Sequence, residues 1–493
     1  MRDYNFGNFI SELRLARGLS QYQLGALVGV TNKAVSKWEN GSSKPKSELL
    51  HKLASVLEVT ADELLSCKLK KACNDERKNF LMKQLKLWEK VQSSLEELYS
   101  KTPCVEILTR FKNERAALDG RESFTYLDAL SALTAEADAF KYDIIVQGTL
   151  ASSFVAYLLG ATKINPLPAH YRCPKCKRVI MMHDYANGWD LPHRVCDCGA
   201  DMVGDGHDIP FDGGGIEAHK VCISLVIAPS FYDRAIDTLT KYDEDHSFAI
   251  LKRDGGKAWS YLFFLPHDES RPRLTVEKCT EKRYNELYNF PYFVLGQSDT
   301  LDRLREISLL SGTRVDNLRP SRELLKSFQA ADTDGVFEFS SDFMKDMLNR
   351  TKPQSFHELI KLSGLAHGTG TWLDVGIPLL ESGRATLSEI PAFRDDVFAL
   401  VLSKMTALGL DGAGFAYEVS STARKGLYTV RGMNEQTRHA LLEIGIPEWF
   451  TEALCKVQYM FPKAHGVYYV RVALALMHLK MNYPAEFNRI FLK

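Results

Sequence analysis

Two cysteine pairs carry the clearest chemical spacing in this 493-residue chain: Cys173-Pro-Lys-Cys176 and, after nineteen intervening residues (177–195), Cys196-Asp-Cys198. Four thiolates so separated are the donor set of a tetrahedral structural zinc site. The second pair is one residue tighter than Cys-x-x-Cys, and His183 and His193 lie between the pairs as substitute ligands. Unrelated cytosolic thiols are the alternative. Upstream, Gly148, Thr149, Ser152 and Ser153 form a small-residue loop running into an apolar stretch. Backbone N–H groups and hydroxyls at a helix start suit an anion such as phosphate. A tight turn capping a buried helix is the other reading.

A separate set of polar residues stands near the amino terminus. Phe6, Ile10 and Leu13 set a helical period. Ser20 then caps a short helix, with Gln23 three residues on as its capping-box partner. Leu24, Leu27 and Val28 are expected to bury one face, Gly25 to permit close packing and Gly29 the sharp turn. Thr31 caps the next helix, in which Val35 and Trp38 point inward and Asn32, Lys33, Ser36 and Lys37 are left outside. Amide, hydroxyl and ammonium groups along one exposed helix face suit base edges and phosphates in a major groove. The run from Leu19 to Pro45 resembles the Cro/cI (XRE) helix-turn-helix family. That resemblance implies that Gln21 clamps a backbone phosphate, that the exposed side of Asn32–Lys37 reads bases, and that the protein binds duplex DNA as a homodimer.

Composition sets no opposing constraint. Lys plus Arg and Asp plus Glu both number 62, so no global field draws the chain to nucleic acid or to an anionic membrane, and DNA contact falls to local patches. The polar start Met1–Phe9 is no signal peptide, and charged residues break every apolar run before it could span a bilayer. A cytoplasmic protein is expected. From residue 67 to 120 the chain is lysine-rich, with Leu81, Leu85, Trp88, Val91, Leu95 and Leu98 at three- and four-residue steps. Both a coiled coil pairing two chains and a helix packed on its own domain fit that period.

The order of the central parts is more specific than any one of them. Ser152-Ser-Phe-Val-Ala156, Asn165-Pro-Leu-Pro168, the cysteine pairs and Asp205-Gly-His-Asp-Ile-Pro-Phe211 follow one another. Thr351–Leu359, Ser363–Thr369, Trp372, Arg424-Lys-Gly426, Pro447-Glu-Trp449 and Tyr459–His465 come later. Together they resemble the Gram-positive PolC type of DNA polymerase III alpha subunit, over palm and fingers only. The resemblance implies a multidomain protein: a helix-turn-helix domain at 1–66, a helical linker at 67–120, an α+β, nucleotidyltransferase-like palm at 121–300 and helical fingers at 301–493. A zinc-ribbon-like module sits in the palm at about 170–204. It further implies triphosphate contacts from the Gly148–Ser153 loop and from Arg424, Lys425, Lys463 and His465. The family usually carries an arginine where this chain has Gln147.

The chain departs from the family at the catalytic acids. Two aspartates are expected on the strand matching Lys220–Ile227 and a third in the strand matching Phe290–Gly296; Cys222, Ser224 and Phe293 stand there. A polymerase palm gathers two Mg²⁺ ions through carboxylates, and thiol, hydroxyl and phenyl groups do not replace them. The expectation is a DNA-binding regulator with a degenerate palm that retains nucleotide or DNA binding without Mg²⁺. The alternatives are a residual nucleotidyltransferase working through Asp233, Asp299 or Asp302, and a polymerase mimic that engages replisome proteins.

Overall fold

A computed structural model describes residues 4–16, 19–57, 59, 61–66, 71–119, 122–211, 222–242, 246–252, 259–266, 272–288, 290–313, 318 and 320–492. They form two compact units, residues 1–89 with 119–125, and residues 90–118 with 126–493. One division between the units falls inside the long helix expected as a linker, between residues 89 and 90.

The first unit opens with five helices: α1 (Tyr4–Ala16), α2 (Gln21–Val28), α3 (Asn32–Glu39), α4 (Ser47–Val56) and α5 (Ala61–Ser66). Phe6, Ile10, Leu13, Leu24, Val28, Val35, Trp38, Leu53, Leu57 and Leu64 make one apolar core. Leu27 departs from the helical pattern and is 53% exposed, as is Leu65 at 51%. Helix α6 (Lys71–Tyr99) follows, then α7 (Val105–Leu118) and α8 (Glu122–Ala139). In the first unit Trp88 stacks on Phe124 at 4.1 Å and donates Nε1–H to Asp119 at 3.0 Å. In the second, Val91, Leu95 and Tyr99 are buried. The apolar face of α6 is thus used within the chain, while Leu85 is exposed and the side chain of Leu81 lies outside the described residues.

The second unit is a mixed α/β body with a helical C-terminal part. Its large sheet has the order β1 (Ile145–Gln147), β5 (Cys222–Ile227), β9 (Tyr292–Gln297), β7 (Trp259–Pro266), β6 (His246–Lys252), β8 (Leu274–Lys278). The β5–β9 and β6–β8 pairs are parallel and the other neighbours antiparallel. Strand β5 alternates, with Ile223, Leu225 and Ile227 buried and Cys222, Ser224 and Val226 facing out, as period-2 geometry requires. Residues Lys220 and Val221 of the expected strand lie outside the described residues. The small sheet orders β3 (Val179–Met181), β2 (His170–Arg172), β4 (Val203–Asp205) and carries the four cysteines. Among the described residues no helix is long and apolar enough to cross a membrane.

Candidate functional site

In the first unit the expected capping geometry forms. Ser20 Oγ accepts from Gln23 N–H at 3.1 Å, and Gln23 Oε1 accepts from Ser20 N–H at 2.8 Å. Gly29 ends α2 in the left-handed region at φ 85°, and a Cβ on Gly25 would fall 2.8 Å from the carbonyl oxygen of Val30. Thr31 Oγ1 accepts from Ala34 N–H at 3.3 Å and starts α3, which leaves Asn32, Lys33 and Lys37 exposed and Ser36 half-buried. Gln21 is less free than its expected phosphate contact supposes. Its Nε2 donates to Glu39 at 2.8 Å, and Glu39 accepts two bonds from the buried Arg14, at 2.5 and 3.0 Å.

In the second unit, β1, β5 and β9 lie side by side and bring the palm positions into register. Gln147 faces Ser224, Ser224 faces Val294, and Cys222 faces Tyr292. Ser224 Oγ donates to Gln147 Oε1 at 2.9 Å, and Gln147 Nε2 lies 2.7 Å from His465 Nε2. Burial pushes the His465 imidazole down to about 3, so its Nε2 is the acceptor of the amide and its proton sits on Nδ1. Phe293 is not part of this face. It pairs with Ile223 on the opposite side of the sheet, is fully buried and lies 5.6 Å from Phe264. The expected third ligand position, Phe293, thus lies on the other face from Cys222 and Ser224, whose face Tyr292 and Val294 share, because partners across a ladder point the same way. None of β1, β5 and β9 carries an acidic residue. Of the alternative acids, Asp302 accepts from the backbone N–H of Ser230 at 3.2 Å and from its hydroxyl.

The Gly148–Ser153 loop holds an anion already. Ser153 caps the short helix α9 (Phe154–Leu158) and donates Oγ–H to Glu114 Oε2 at 2.6 Å. The N–H groups of Phe154 and Val155 donate to the same carboxylate at 2.9 and 3.0 Å. Glu114 is fully buried and paired with Arg110 Nε at 2.5 Å; Arg110 also donates to the carbonyl oxygens of Ile209 and Ser152. The resident carboxylate thus occupies the Ser153 hydroxyl expected to contact phosphate, whereas the buried Ser152 hydroxyl has no hydrogen-bond partner. Gly148 keeps open space and a φ of 84°, and the side chain of Thr149 lies outside the described residues. Arg110 and Glu114 were not singled out in the sequence. Their i,i+4 spacing was the available signal, and it is common to exposed helix pairs.

The four cysteines do converge. Cys173, Cys176, Cys196 and Cys198 place their sulfurs within 4.8 Å of one another, with Cys173–Cys198 at 3.4 Å and Cys176–Cys196 at 3.5 Å. Zn–S bonds of about 2.3 Å in a tetrahedron set neighbouring sulfurs about 3.8 Å apart, so the set fits a bound metal. The N–H of Cys176 donates to Cys173 Sγ and pulls that thiol down, while at Cys176 the N–H of Arg178 is outweighed by the neighbouring sulfurs of Cys173 and Cys196, which push the thiol up. His183 and His193 are turned to Glu106 and Asp201, so the tighter Cys196–Cys198 pair needs no substitute.

Comparison with known proteins agrees with both units. Residues 10–64 match the helix-turn-helix family model, and residues 315–399 match the bacterial DNA polymerase III alpha subunit finger domain. The chain joins a helix-turn-helix to a PolC-like region. It is 28% identical over 421 residues to the PolC-type DNA polymerase III of Thermotoga petrophila, covering 70% of this chain and 30% of that protein. The PolC-type enzyme of Caldanaerobacter subterraneus subsp. tengcongensis is 28% identical over 415 residues, with 69% and 29% covered. That of Streptococcus thermophilus is 27% identical over 465 residues, with 79% and 31% covered. The chain thus spans about a third of the length of these relatives.

The four expected PolC-like cations lie C-terminal to the matched finger segment and differ in freedom. Lys463, at the start of the helix Lys463–Asn482, is buried; its N–H donates to Asp395 at 2.7 Å and its Nζ to the carbonyl oxygen of Asp208 at 3.1 Å. His465 is held by Gln147 and packed on Tyr469, ring centroids 4.4 Å apart. Arg424, the last residue of the helix Ala413–Arg424, is half-buried, and Lys425 is exposed.

Proposed function

We propose that this protein is a sequence-specific DNA-binding regulator whose PolC-like region has lost nucleotidyl transfer. One observation carries the reading: no acidic residue stands on β1, β5 or β9, where a polymerase needs carboxylates to gather divalent cations. Ser224 and Gln147 satisfy each other instead, so the face has been rebuilt as a neutral hydrogen-bonded surface. DNA recognition falls to α3, with Asn32 and Ser36 at base edges and Lys33 and Lys37 at phosphates, on a homodimer binding paired half-sites. Zn²⁺ held by Cys173, Cys176, Cys196 and Cys198 stabilises the small sheet. A nucleotide ligand, bound without turnover, is met by Arg424 and Lys425, the two cations that no internal carbonyl or helix start claims. Such a ligand alters DNA affinity only through unequal binding to two states of the protein.

The test is a pair of measurements on one preparation. Selection from a random duplex pool is expected to yield one enriched motif, and primer extension with Mg²⁺ and all four dNTPs is expected to yield no product. Extension above the background of a Ser224→Ala variant would overturn the loss of catalysis, and a pool without enrichment would overturn sequence-specific recognition.

A further inference from the structure

The small sheet is built from three strands of three residues each, around a small core of buried Tyr171, Cys173, Cys196 and Met202 with partly buried Ile180, Met182, Leu191, Cys198 and Ala200 packed against it. Strands this short do not hold together without a cross-link or a metal. The module is nevertheless wired into the rest of its unit. His170 on β2 donates Nδ1–H to the carbonyl oxygen of Pro168 at 2.7 Å, which leaves Nε2 to accept from the Tyr99 hydroxyl at 3.3 Å. Asn165 Nδ2 donates to that hydroxyl at 2.7 Å and to Asp205 Oδ2, on β4, at 2.9 Å. Tyr157 adds a second donor to Asp205 Oδ2 at 3.1 Å, and Arg172, the residue before Cys173, a third at 3.4 Å. Tyr99 is the last residue of α6 and is 1% exposed. If β2 moved away, its hydroxyl would keep Asn165 as a donor but lose its acceptor, His170 Nε2, and a buried donor left without a partner is costly.

We propose that metal at the four thiols sets the order of the last turn of α6, through the buried network that joins β2 and β4 to Tyr99. The inference rests on the metal reading of the cysteines. Metal holds the strands, the strands hold His170 and Asp205, and these hold Tyr99. Linkage makes the coupling reciprocal: whatever Tyr99 gains from the metal-bound module, the metal gains from Tyr99.

The experiment uses the full chain loaded with Zn²⁺ and the same chain stripped by a high-affinity chelator under reducing conditions. Hydrogen exchange should rise at least tenfold in peptides covering 93–99, together with 170–205, while the helix Ala413–Arg424 stays unchanged. A loosened module with unchanged exchange at 93–99 would refute the coupling. Tyr99→Phe keeps the ring and removes the hydroxyl. It should lower Zn²⁺ affinity about fivefold or more in competition with a chromophoric chelator, the low end of typical coupling, with unchanged far-ultraviolet circular dichroism. Equal affinity would overturn the proposal as well. Failure of the metal reading itself looks different: the wild type would bind no more Zn²⁺ than a Cys176→Ser variant.

Discussion

Gln147 and Ser224 face each other across the β1–β5 ladder, joined by a 2.9 Å hydrogen bond, and the amide of Gln147 continues to His465 at 2.7 Å. The PolC resemblance places an arginine and an aspartate at these two positions. On that resemblance, a neutral pair that satisfies itself stands where a cation and an anion are expected, so neither position is left with an orphaned partner. A double-mutant cycle tests this. Ser224→Asp alone sets a carboxylate beside a neutral amide and is expected to cost about 1–3 kcal/mol, and Gln147→Arg alone to cost a similar amount. The double variant should recover about 1–3 kcal/mol relative to the sum. Strict additivity in urea unfolding would show that the two sites are independent.

Glu114 makes a second prediction. Its carboxylate accepts from Arg110, Ser153 and two backbone N–H groups with no solvent exposure. Glu114→Ala would strand the Arg110 charge and three donors together, a loss expected at about 3–5 kcal/mol. Glu114→Gln keeps an acceptor and should cost less. Thermal unfolding of the three proteins, with and without inorganic phosphate, reads both the cost and whether an added anion repays part of it in the Ala variant. An unshifted midpoint in Glu114→Ala would mean that the loop does not depend on this internal anion.

The sequence was legible where local rules act. Ser20, Gly29 and Thr31 specify the ends of α2 and α3 through capping and a left-handed turn, and both ends form as expected. The cysteine spacing likewise specified a convergence that the fold supplies. Phe293 lies across the sheet from Cys222 and Ser224, and motif order could not show this because it fixes a strand but not its face, which one residue of register changes. Glu114 was invisible for another reason. It lies about forty residues from the loop that it caps, |i−j| being 39 to Ser153, and nothing in a charge pattern announces burial.

Lys33 and Lys37 are exposed on α3. Replacing either by Ala should leave the melting temperature within experimental error and weaken DNA binding similarly for matched and mismatched duplexes. Each phosphate contact removed should also reduce the slope of log K against log salt by about 0.9. Asn32→Ala should instead flatten discrimination between duplexes, by about 1–3 kcal/mol at the base that it reads. Fluorescence anisotropy over a salt series separates the two classes. A lysine variant with an unchanged salt slope would remove that residue from the phosphate contacts.

Three histidines give stability a pH dependence with a definite sign. Burial pushes His207, His357 and His465 each down to about 3, whereas an unfolded histidine titrates near 6.5. The unfolded chain therefore binds more protons between those values, so stability is complete above about pH 6.5 and falls as pH drops through that window, by about 1.4 kcal/mol per pH unit for each histidine. His367 runs the other way. Burial disfavours its charged ring, but Glu338 at 3.2 Å outweighs that and raises its titration, so its contribution is present below about pH 6.5 and lost as pH rises through the folded value. Burial also pushes His170 and His478 down, so five histidines against one leave a net fall on acidification. His465→Gln keeps an acceptor for Gln147 and removes one titrating group, so the change in unfolding midpoint between pH 7 and pH 5 should shrink. A variant as acid-sensitive as the wild type would show that His465 exchanges its proton in the folded protein as readily as in the unfolded chain.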